Sequence, residues 1–348
     1  MKRLIGNSIT GTSMVTIKDV ARQADVSVAT VSRVFSGANV VREETSKRIR
    51  DVAARLRYTP HVGARSLTTS KTNTLGVLLP DLYGEFFSEI IRGIDAAARR
   101  SGYHLLVSSS HSDSREVASA MRSMRGRVDG LVLMSPDLDA KALVATLPEG
   151  HPLILLNASV KQRGVASVRI GNSRGAKAMV QHLLEHGHSR IAIISGAKHN
   201  IDSEQRRNGY RAALAEAGIS PDSRLEVEGD FTEDSGYEAV RKMLANRSCR
   251  PTAIFAANDA MAIGALSALR EAGARVPDDF AVAGFDDIPI ARHMTPPLSS
   301  VHVPIADLGE RATENLIAAV SNPKHRARHE ILRTALVIRE SCGPPGHA

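Results

Sequence analysis

Hydrophobic positions near the start of the chain repeat with helical spacing. Within residues 16–35, TIKDVARQADVSVATVSRVF, one helical face carries Ile17, Val20, Ala21 and Ala24. The pattern breaks at Asp25, and a second short helix follows, with Val31 and Val34 on its inner face and Ser27 placed as its N-cap. Two short helices joined by a three-residue turn predict a helix-turn-helix.

Local details around these helices support the same prediction. Thr16 followed by Asp19 resembles a capping box, and Asp25 in the turn tolerates a left-handed backbone better than most residues do. A third helix turns Ile49, Val52, Ala53 and Leu56 inward. Its mostly outward basic residues are Arg42, Lys47, Arg48, Arg50, Arg55 and Arg57. The alternative is a generic three-helix bundle whose basic face is only solvated.

From Asn73 onward, short apolar runs alternate with amphipathic helical segments. Candidate strands include Thr74–Leu79, His104–Ser108, Gly130–Met134, Leu153–Asn157, Ser167–Ile170, Arg190–Ser195, Ala253–Ala256 and Ala281–Phe285. Candidate helices include Glu85–Ser101, Arg174–Glu185, Asn208–Ala217, Ser235–Leu244 and Ala260–Ala272. This alternation predicts parallel, doubly wound sheets, and about 270 residues are too many for one open sheet. We therefore expect an all-α head followed by a two-lobed α/β core.

The positive charge of the chain is concentrated in the head. The 348 residues carry a net charge of +8, and residues 1–70 supply +7 of it, with 12 Lys and Arg against 5 Asp and Glu. Residues 71–348 are nearly neutral, with 33 against 32. A basic head on a neutral body indicates that the head meets a polyanion while the body has another task.

Composition and motifs argue against several other classes of protein. The apolar runs are far shorter than a membrane span, and the first residues lack the apolar core of a signal peptide. Cys249 and Cys342 have no metal-ligand spacing, which favours a cytoplasmic protein with reduced thiols. His182, His186 and His188 cluster at a helix end without an evident fourth ligand. With no Walker P-loop, GxGxxG or HExxH pattern, we expect no enzyme activity, no cofactor and no metal site.

The second helix of the helix-turn-helix offers side chains that its own core does not need. Arg33 is suited to two parallel hydrogen bonds with guanine O6 and N7, and Val28 and Ala29 to contacts with thymine methyl groups. Hydroxyl side chains and the basic residues of the third helix are better suited to phosphates. The predicted DNA contacts of this domain are Thr16, Ser27, Val28, Ala29, Thr30, Ser32 and Arg33.

Polar and aromatic residues follow many of the predicted core strands. Parallel sheets bind ligands beyond the carboxyl ends of their strands, so these positions are candidate ligand contacts. They are Asp81–Phe87, Gly171–Ser173, Gly196–Ala197, Asn258–Asp259 and Asp286–Asp287, with Phe231 and Arg206 in loops or helix starts. Such a set suits a sugar, whose hydroxyls need polar partners and whose C–H faces need rings. Asn258 and Asp259 have an alternative role as caps of the following helix.

The head resembles the DNA-binding domain of the LacI/GalR family of bacterial repressors, through TIKDVARQADVSVATVSRVFSG. The stretch YTPHVGARSLTTSKTNTLGVLLPD resembles that family's hinge and first core strand. The resemblance implies a hinge that becomes helical on operator DNA and inserts Leu67 of each subunit into the minor groove at a central CG step. Ala64 would assist Leu67, and His61 and Arg65 would lie near the backbone or groove. An ordinary linker leucine is the alternative for Leu67.

The core resembles the same family through LGVLLPDLYGEFFSEIIRGI, HLLEHGHSRIAIISG, EQRRNGYRAAL, TAIFAANDAMAIGAL, VAGFDDIPIARHMTPPLSSV and ALVIRESC. The implied fold is that of periplasmic sugar-binding proteins, with two lobes joined by three crossovers. The implied effector contacts are Tyr83, Phe86, Arg206, Phe231, Asn258 and Asp286. One position departs: many members have Asp-Asn where this chain has Gly171-Asn172, so one carboxylate contact with the ligand is missing.

Together these observations predict a transcriptional repressor that binds a pseudo-palindromic operator in double-stranded DNA as a homodimer and responds to a small molecule, a saccharide or its derivative, between the core lobes. Its predicted parts are a disordered extension (1–15), the helix-turn-helix domain (16–60), a hinge (61–72), the core (73–342) and a tail (343–348). The first lobe takes 73–171 and 303–331, and the second 172–302 and 332–342. A periplasmic sugar-binding protein is an alternative that shares the core but needs a signal peptide, and an α/β enzyme is an alternative that needs a catalytic constellation, which is not found.

Overall fold

A computed structural model describes most of both predicted regions. The described residues are 15–35, 40–59, 71–111, 113–137, 151–158, 165–246, 250–322 and 324–343. The chain divides into two compact units, residues 1–72 and 73–348. The predicted extension up to residue 14, the hinge residues 61–70 and the tail after residue 343 lie outside the described residues.

The head contains the three helices that its apolar periodicity predicts. They are α1 (Ile17–Gln23), α2 (Val28–Phe35) and α3 (Glu43–Arg55). The Asp19 carboxylate accepts hydrogen bonds from the Thr16 amide (3.0 Å) and hydroxyl (2.7 Å), and the Thr30 amide donates to Ser27 Oγ (3.1 Å). Asp25 adopts the left-handed backbone expected of it, with φ of 49°. The buried residues shared by the three helices are Val20, Ala21, Ala24, Val31, Val34, Ile49, Val52 and Ala53.

The first lobe of the core is built on a six-stranded parallel sheet. Its strands are β1 (Thr74–Leu79), β2 (His104–Ser109), β3 (Gly130–Met134), β4 (Leu153–Leu156), β5 (Val165–Ile170) and β11 (His329–Leu332). Their order is β11-β5-β4-β3-β1-β2, and every neighbouring pair is parallel. The described helices of this lobe are α4 (Glu85–Arg100), α5 (Ser114–Met124) and α10 (Ile305–Ser321). The central strands are continuous apolar runs because helices cover both faces of such a sheet.

The second lobe repeats the architecture. Its strands are β6 (Ile191–Ser195), β7 (Glu226–Glu228), β8 (Ala253–Ala256), β9 (Ala281–Asp286), β10 (Ser299–His302) and β12 (Ala335–Val337). Their order is β12-β10-β9-β8-β6-β7, with β12 antiparallel to β10 and the other pairs parallel. The described helices are α6 (Asn172–Glu185), α7 (Ile201–Glu216), α8 (Glu233–Ala245) and α9 (Asp259–Glu271).

Three connections join the lobes, after β5, after β10 and between β11 and β12. The two-lobed α/β prediction is thereby confirmed, and most predicted boundaries agree within two residues. The largest difference is α7, which begins at Ile201 instead of Asn208. Its first two turns bury the polar residues Asp202, Ser203 and Arg206, so the apolar period that marks the rest of the helix is absent there.

Candidate functional site

The exposed face of α2 carries most of the residues predicted to read DNA. Val28, Ala29 and Arg33 are exposed, while Thr30 and Ser32 are half-buried, so the outer surface of this helix is a mixture of methyl groups, hydroxyls and one guanidinium. Val31 and Val34 face inward and fix the helix on the core. This division matches what a recognition helix needs, although contact with DNA stays a prediction for each residue.

Two of the polar residues predicted to contact DNA also form hydrogen bonds at the helix starts of the head. Thr16 and Ser27 are exposed but are engaged with Asp19 and Thr30 at the helix starts. The basic residues of α3 and its flanks are exposed, namely Arg42, Lys47, Arg48, Arg50, Arg55 and Arg57. His61, Ala64, Arg65 and Leu67 lie outside the described residues, so their assigned roles also stay predictions.

A cleft of about 800 Å³ lies between the two lobes of the core. All six predicted effector contacts line it: Tyr83, Phe86, Arg206, Phe231, Asn258 and Asp286. They come from α4 and the loop before it in the first lobe and from four separate strand ends or helices in the second. The fold thus gathers residues up to 203 positions apart in sequence at the edge where parallel strands end.

Arg206 occupies the buried floor of this cleft, with its side chain only 3% exposed. Its Nη2 lies 3.1 Å from Asp286 Oδ1, its Nε donates to Asn172 Oδ1 at 2.9 Å, and its guanidinium stacks 3.8 Å from the centre of the Phe285 ring. The contact with Asp286 is an ion pair without hydrogen-bond geometry, so Asp286 Oδ1 has no hydrogen-bond donor among the described residues. A buried carboxylate oxygen in that state is an acceptor for a ligand hydroxyl.

Asp202 is a buried cleft residue that the sequence analysis missed. Its carboxylate accepts from Asn157 Nδ2 (3.1 Å) in the first lobe and from Asn172 Nδ2 (2.7 Å) at the first crossover. A continuous polar network therefore runs from Asn157 through Asp202 and Asn172 to Arg206. Asn172 supplies an amide to this network, and Asp202 of α7 supplies the carboxylate beside it. An N-cap at Asn200, which accepts from the Asp202 and Ser203 amides, was the available sequence signal.

Burial governs the protonation of the carboxyl groups beneath the cleft. It raises the pKa of Asp286 to about 7, against the opposing effect of the Arg206 guanidinium. It raises the pKa of Asp202 as well, although Arg206 and the two asparagine amides favour the charged form. The pKa of Asp259 is raised well above its usual range by burial and then by the neighbouring Asp286 carboxyl.

Asp259 does not cap α9, which corrects one alternative from the sequence. Asn258 is the cap, because its Oδ1 accepts from the Met261 amide at 2.9 Å. The Asp259 carboxyl instead accepts hydrogen bonds from the Ile288 amide (2.8 Å) and the Ser300 hydroxyl (2.6 Å). These bonds hold the loop after β9, where two consecutive residues, Asp286 and Asp287, have φ of 108° and 54°. Such strained backbone persists where neighbours over-determine it, as they do at ligand sites.

Phe231 provides an aromatic wall with a fixed position. Its backbone has φ of 73°, and its carbonyl accepts from Asn258 Nδ2 at 2.9 Å. Its ring lies on Gly196, where a Cβ would come 2.1 Å from the ring. Only glycine leaves room for the ring there. On the opposite lobe, Phe86 packs edge-to-face with Phe87 at 5.5 Å, and Tyr83 is 72% exposed at the cleft mouth.

Hydrogen bonds also cross the mouth of the cleft from lobe to lobe. The Ile290 amide donates to Glu85 Oε2 at 2.8 Å, and Asn200 Nδ2 donates to Asp137 Oδ1 at 2.8 Å. The Ile201 amide donates to the Pro136 carbonyl at 3.1 Å. These bonds hold the two lobes against each other around the cleft.

One pattern typical of hydrolases does occur, because Gly171–Gly175 reads GNSRG and has GxSxG spacing. It comprises the N-cap position and first turn of α6, where Ser173 has ordinary helical backbone, does not line the cleft and forms no hydrogen bond with a histidine among the described residues. His188 is buried between the Thr252 hydroxyl and the Gly343 carbonyl. Across the described ranges, no cluster of three or more metal-ligating side chains is found.

Among the helices that the structure describes, none combines the length and the apolar character of a membrane span.

Comparison with known proteins matches both regions. Residues 16–61 match bacterial regulatory proteins of the lacI family, and residues 180–342 match a periplasmic binding protein-like domain. The ribose operon repressor of Haemophilus influenzae is 33% identical over 329 residues, covering 94% of this chain and 98% of that protein. The transcriptional repressor PurR of Photobacterium profundum is 34% identical over 330 residues, covering 94% and 98%.

Solved structures give the same result. The lac repressor dimer bound to operator and the anti-inducer ONPF has a TM-score of 0.83 and 30% identity, covering 94% of this chain and 99% of that chain. The transcriptional regulator CelR in complex with cellobiose has a TM-score of 0.72 and 32% identity, covering 94% and 100%. With its helix-turn-helix head and two-lobed core, the chain belongs to the lacI family of bacterial regulatory proteins.

Proposed function

We propose that this repressor binds a pseudo-palindromic operator with a central CG step as a homodimer, and that a saccharide between its lobes controls operator affinity. The observation that carries the proposal is the cleft, which is lined by all six residues chosen from the sequence, including the buried Arg206–Asp286 pair. Carboxylates and a guanidinium can form hydrogen bonds with sugar hydroxyls, and the rings of Phe86 and Phe231 can pack on sugar C–H faces. Saccharide binding requires both kinds of contact.

Relatives support the saccharide and the operator. One solved relative is a LacI-family regulator from Enterococcus faecium with bound ribose, 27% identical with a TM-score of 0.71, and CelR is seen with cellobiose. The lac repressor is seen as a dimer on its operator. Protein two-fold symmetry is mirrored in half-site spacing, so a dimer of this chain reads two related half-sites. Such a regulator acts in the cytoplasm, where the bacterial chromosome lies, and needs no catalytic step.

The head divides the work of DNA binding between specific and non-specific contacts. Arg33 on the exposed face of α2 reads guanine, while Val28 and Ala29 contact thymine methyl groups. The basic residues of α3 position the head on phosphates and supply affinity for any sequence. Leu67 and its dimer mate, assisted by Ala64, His61 and Arg65, occupy the minor groove at the central step.

Effector control follows from the network on the cleft floor. A ligand that binds Arg206 and Asp286 also acts on Asn172 and Asp202, and through Asp202 on Asn157 in the first lobe. Because the network spans both lobes, ligand binding and lobe orientation are coupled. The coupling is reciprocal, so operator DNA changes effector affinity by the same factor.

Fluorescence anisotropy with a labelled palindrome tests the DNA half of the proposal. Arg33→Ala is expected to weaken binding to the intact operator by about 1–3 kcal/mol. It should also relax discrimination at one base pair per half-site. Arg55→Ala, on the exposed basic face of α3, is the matched control. It removes the same charge but is expected to weaken binding to specific and non-specific DNA equally. Parent-like binding of the operator by Arg33→Ala, or equal loss on all sequences, contradicts the assignment.

A thermal-shift screen of mono- and disaccharides tests the sensor half. A ligand that binds only the folded core raises the melting temperature in proportion to RT ln(1 + [L]/Kd). The saccharide that stabilises the core must also change operator affinity in the anisotropy assay. A stabilising saccharide that leaves operator affinity unchanged contradicts the control mechanism.

A further inference from the structure

The cleft between the lobes is strongly acidic although the core as a whole is nearly neutral. Two carboxyl groups, Asp202 and Asp286, lie in its buried floor. Five more acidic side chains line its walls and mouth: Asp81, Glu85, Asp137, Asp230 and Glu233. Among the described lining residues, the only basic side chains are Arg206 and His111.

The hydrogen bonds of three of the wall carboxylates, Asp81, Glu85 and Asp230, come from neutral donors and leave their negative charge in place. Glu85 accepts from a backbone amide across the cleft mouth, and Asp81 accepts from the amides of the two residues that follow it. Asp230 accepts from the amide and hydroxyl of Thr232, which hold its pKa below the usual value although burial opposes them. Neutral donors of this kind stabilise the charged form of a carboxylate and do not cancel its charge.

Arg206, the single arginine among the described lining residues, already has partners within the protein. Arg206 is paired with Asp286, and its other guanidinium nitrogens donate to Asn172 and to the Ala257 carbonyl. A phosphate or carboxylate on a ligand would have to compete with Asp286 for it. Even with both floor carboxyls protonated, five carboxylates then face one guanidinium.

We infer that the cleft selects a saccharide without an anionic group and rejects sugar phosphates and uronic acids. The inference rests on the proposed sensor function and specifies its ligand. Asp286 Oδ1, buried and without a hydrogen-bond donor among the described residues, accepts from a sugar hydroxyl but repels a phosphate or carboxylate oxygen. The excess of negative charge acts over the whole cleft, because low-dielectric walls focus the field inside it.

The expected discrimination follows from Coulomb's law. Four net negative charges at about 8 Å in a water-like dielectric, reduced by physiological salt, weaken the binding of a monoanion about fourfold relative to its neutral parent. A dianionic phosphate ester is penalised more strongly than a uronate.

Matched sets of ligands test the inference on the full-length protein. Each set holds one neutral sugar with its terminal phosphate ester and, for hexoses, its uronic acid; the probes are common aldohexoses and aldopentoses. Dissociation constants come from titration calorimetry at constant ionic strength, after a thermal-shift screen. In every set that binds, the neutral sugar is expected to bind best.

Two variants separate charge from shape. Glu233→Gln removes one cleft carboxylate and is expected to raise the affinity of the anionic members relative to that of the neutral sugar by about 1.4-fold at physiological salt, so the readout is the ratio of the two dissociation constants. Asp234→Asn is the control, because Asp234 is exposed on the same helical turn but does not line the cleft. The melting temperature without ligand shows whether either variant disturbs the fold.

The outcomes distinguish this inference from the proposed function. A phosphate or uronate that binds more tightly than its neutral parent, or a Glu233→Gln effect no different from that of Asp234→Asn, overturns the charge selection and leaves the saccharide sensor standing. If no member of any set binds and the screen of mono- and disaccharides yields no ligand either, the saccharide sensor itself is wrong, and the inference falls with it.

Discussion

The Gly196→Ala substitution tests whether the position of the Phe231 ring sets effector affinity. A Cβ at residue 196 would lie 2.1 Å from Phe231 Cζ, whereas ordinary contacts begin at 3.4 Å, so the ring has to retreat by at least 1.3 Å. Phe231 lines the cleft and Gly196 does not, so the retreat carries the ring into the space for the ligand. The ring tip is the flexible end of its side chain, and the backbone of both residues can stay in place.

The cost falls on ligand binding more than on the fold. Overpacking a fitted site typically costs about 1–3 kcal/mol. If that cost appears when the ligand occupies the cleft, the dissociation constant rises roughly 5- to 150-fold. We expect the free energy of unfolding of the empty core to change by less than about 1 kcal/mol, since the displaced ring has open cleft to enter.

The assay is calorimetric titration with the saccharide that gives the largest thermal shift, carried out as a double-mutant cycle. Phe231→Ala alone is expected to weaken binding, and adding Gly196→Ala to it is expected to have no further effect, because the clash partner is gone. Parent-like affinity in Gly196→Ala refutes the steric reasoning. An equal loss in both backgrounds does so as well, since residue 196 would then act on something other than the ring.

Three further predictions concern the core. The raised pKa of Asp286, about 7 against 3.8 when unfolded, means that its contribution to stability is lost as pH rises from about 4 to 7; urea unfolding of Asp286→Asn should therefore show a flatter slope over that range, by up to about 1.4 kcal/mol per pH unit. Gly93→Ala should destabilise the core by about 2 kcal/mol or more in urea, despite about 1 kcal/mol gained in helix propensity, because its Cβ would lie against the Ala306 carbonyl of α10. Ser300→Ala should cost about 1–3 kcal/mol and weaken effector binding, since it removes the hydroxyl between Asp259 and the Asp287 amide.

Each of these has a contrary result. Identical pH slopes in the parent and Asp286→Asn contradict the raised pKa. Unchanged stability in Gly93→Ala contradicts the close approach of α4 and α10. In Ser300→Ala, loss of stability with parent-like effector affinity shows that effector binding does not depend on this hydroxyl.

Local sequence was enough for the head because its signals are local. Capping residues, a left-handed aspartate in the turn and one apolar face per helix all act within a few residues. Eight of the twelve described core strands were likewise visible as short apolar runs, whereas β7, β10, β11 and β12 were not among the predicted strands. The start of α7 was hidden, because Asp202, Ser203 and Arg206 are polar and yet buried, and their partners Asn157, Asn172 and Asp286 are distant in sequence.

The sequence by itself determined that this protein has a basic helical head, an α/β core of two lobes and a set of cleft residues that a family resemblance singles out. Only the tertiary structure decided how the core's charges are distributed. Residues 71–348 are nearly neutral by count, but folding brings seven carboxyl groups and one guanidinium to the cleft among the described residues. The net charge counted from the sequence does not say where the charges lie, whereas electrostatic attraction and repulsion depend on distance. A nearly neutral core can therefore contain an acidic binding site.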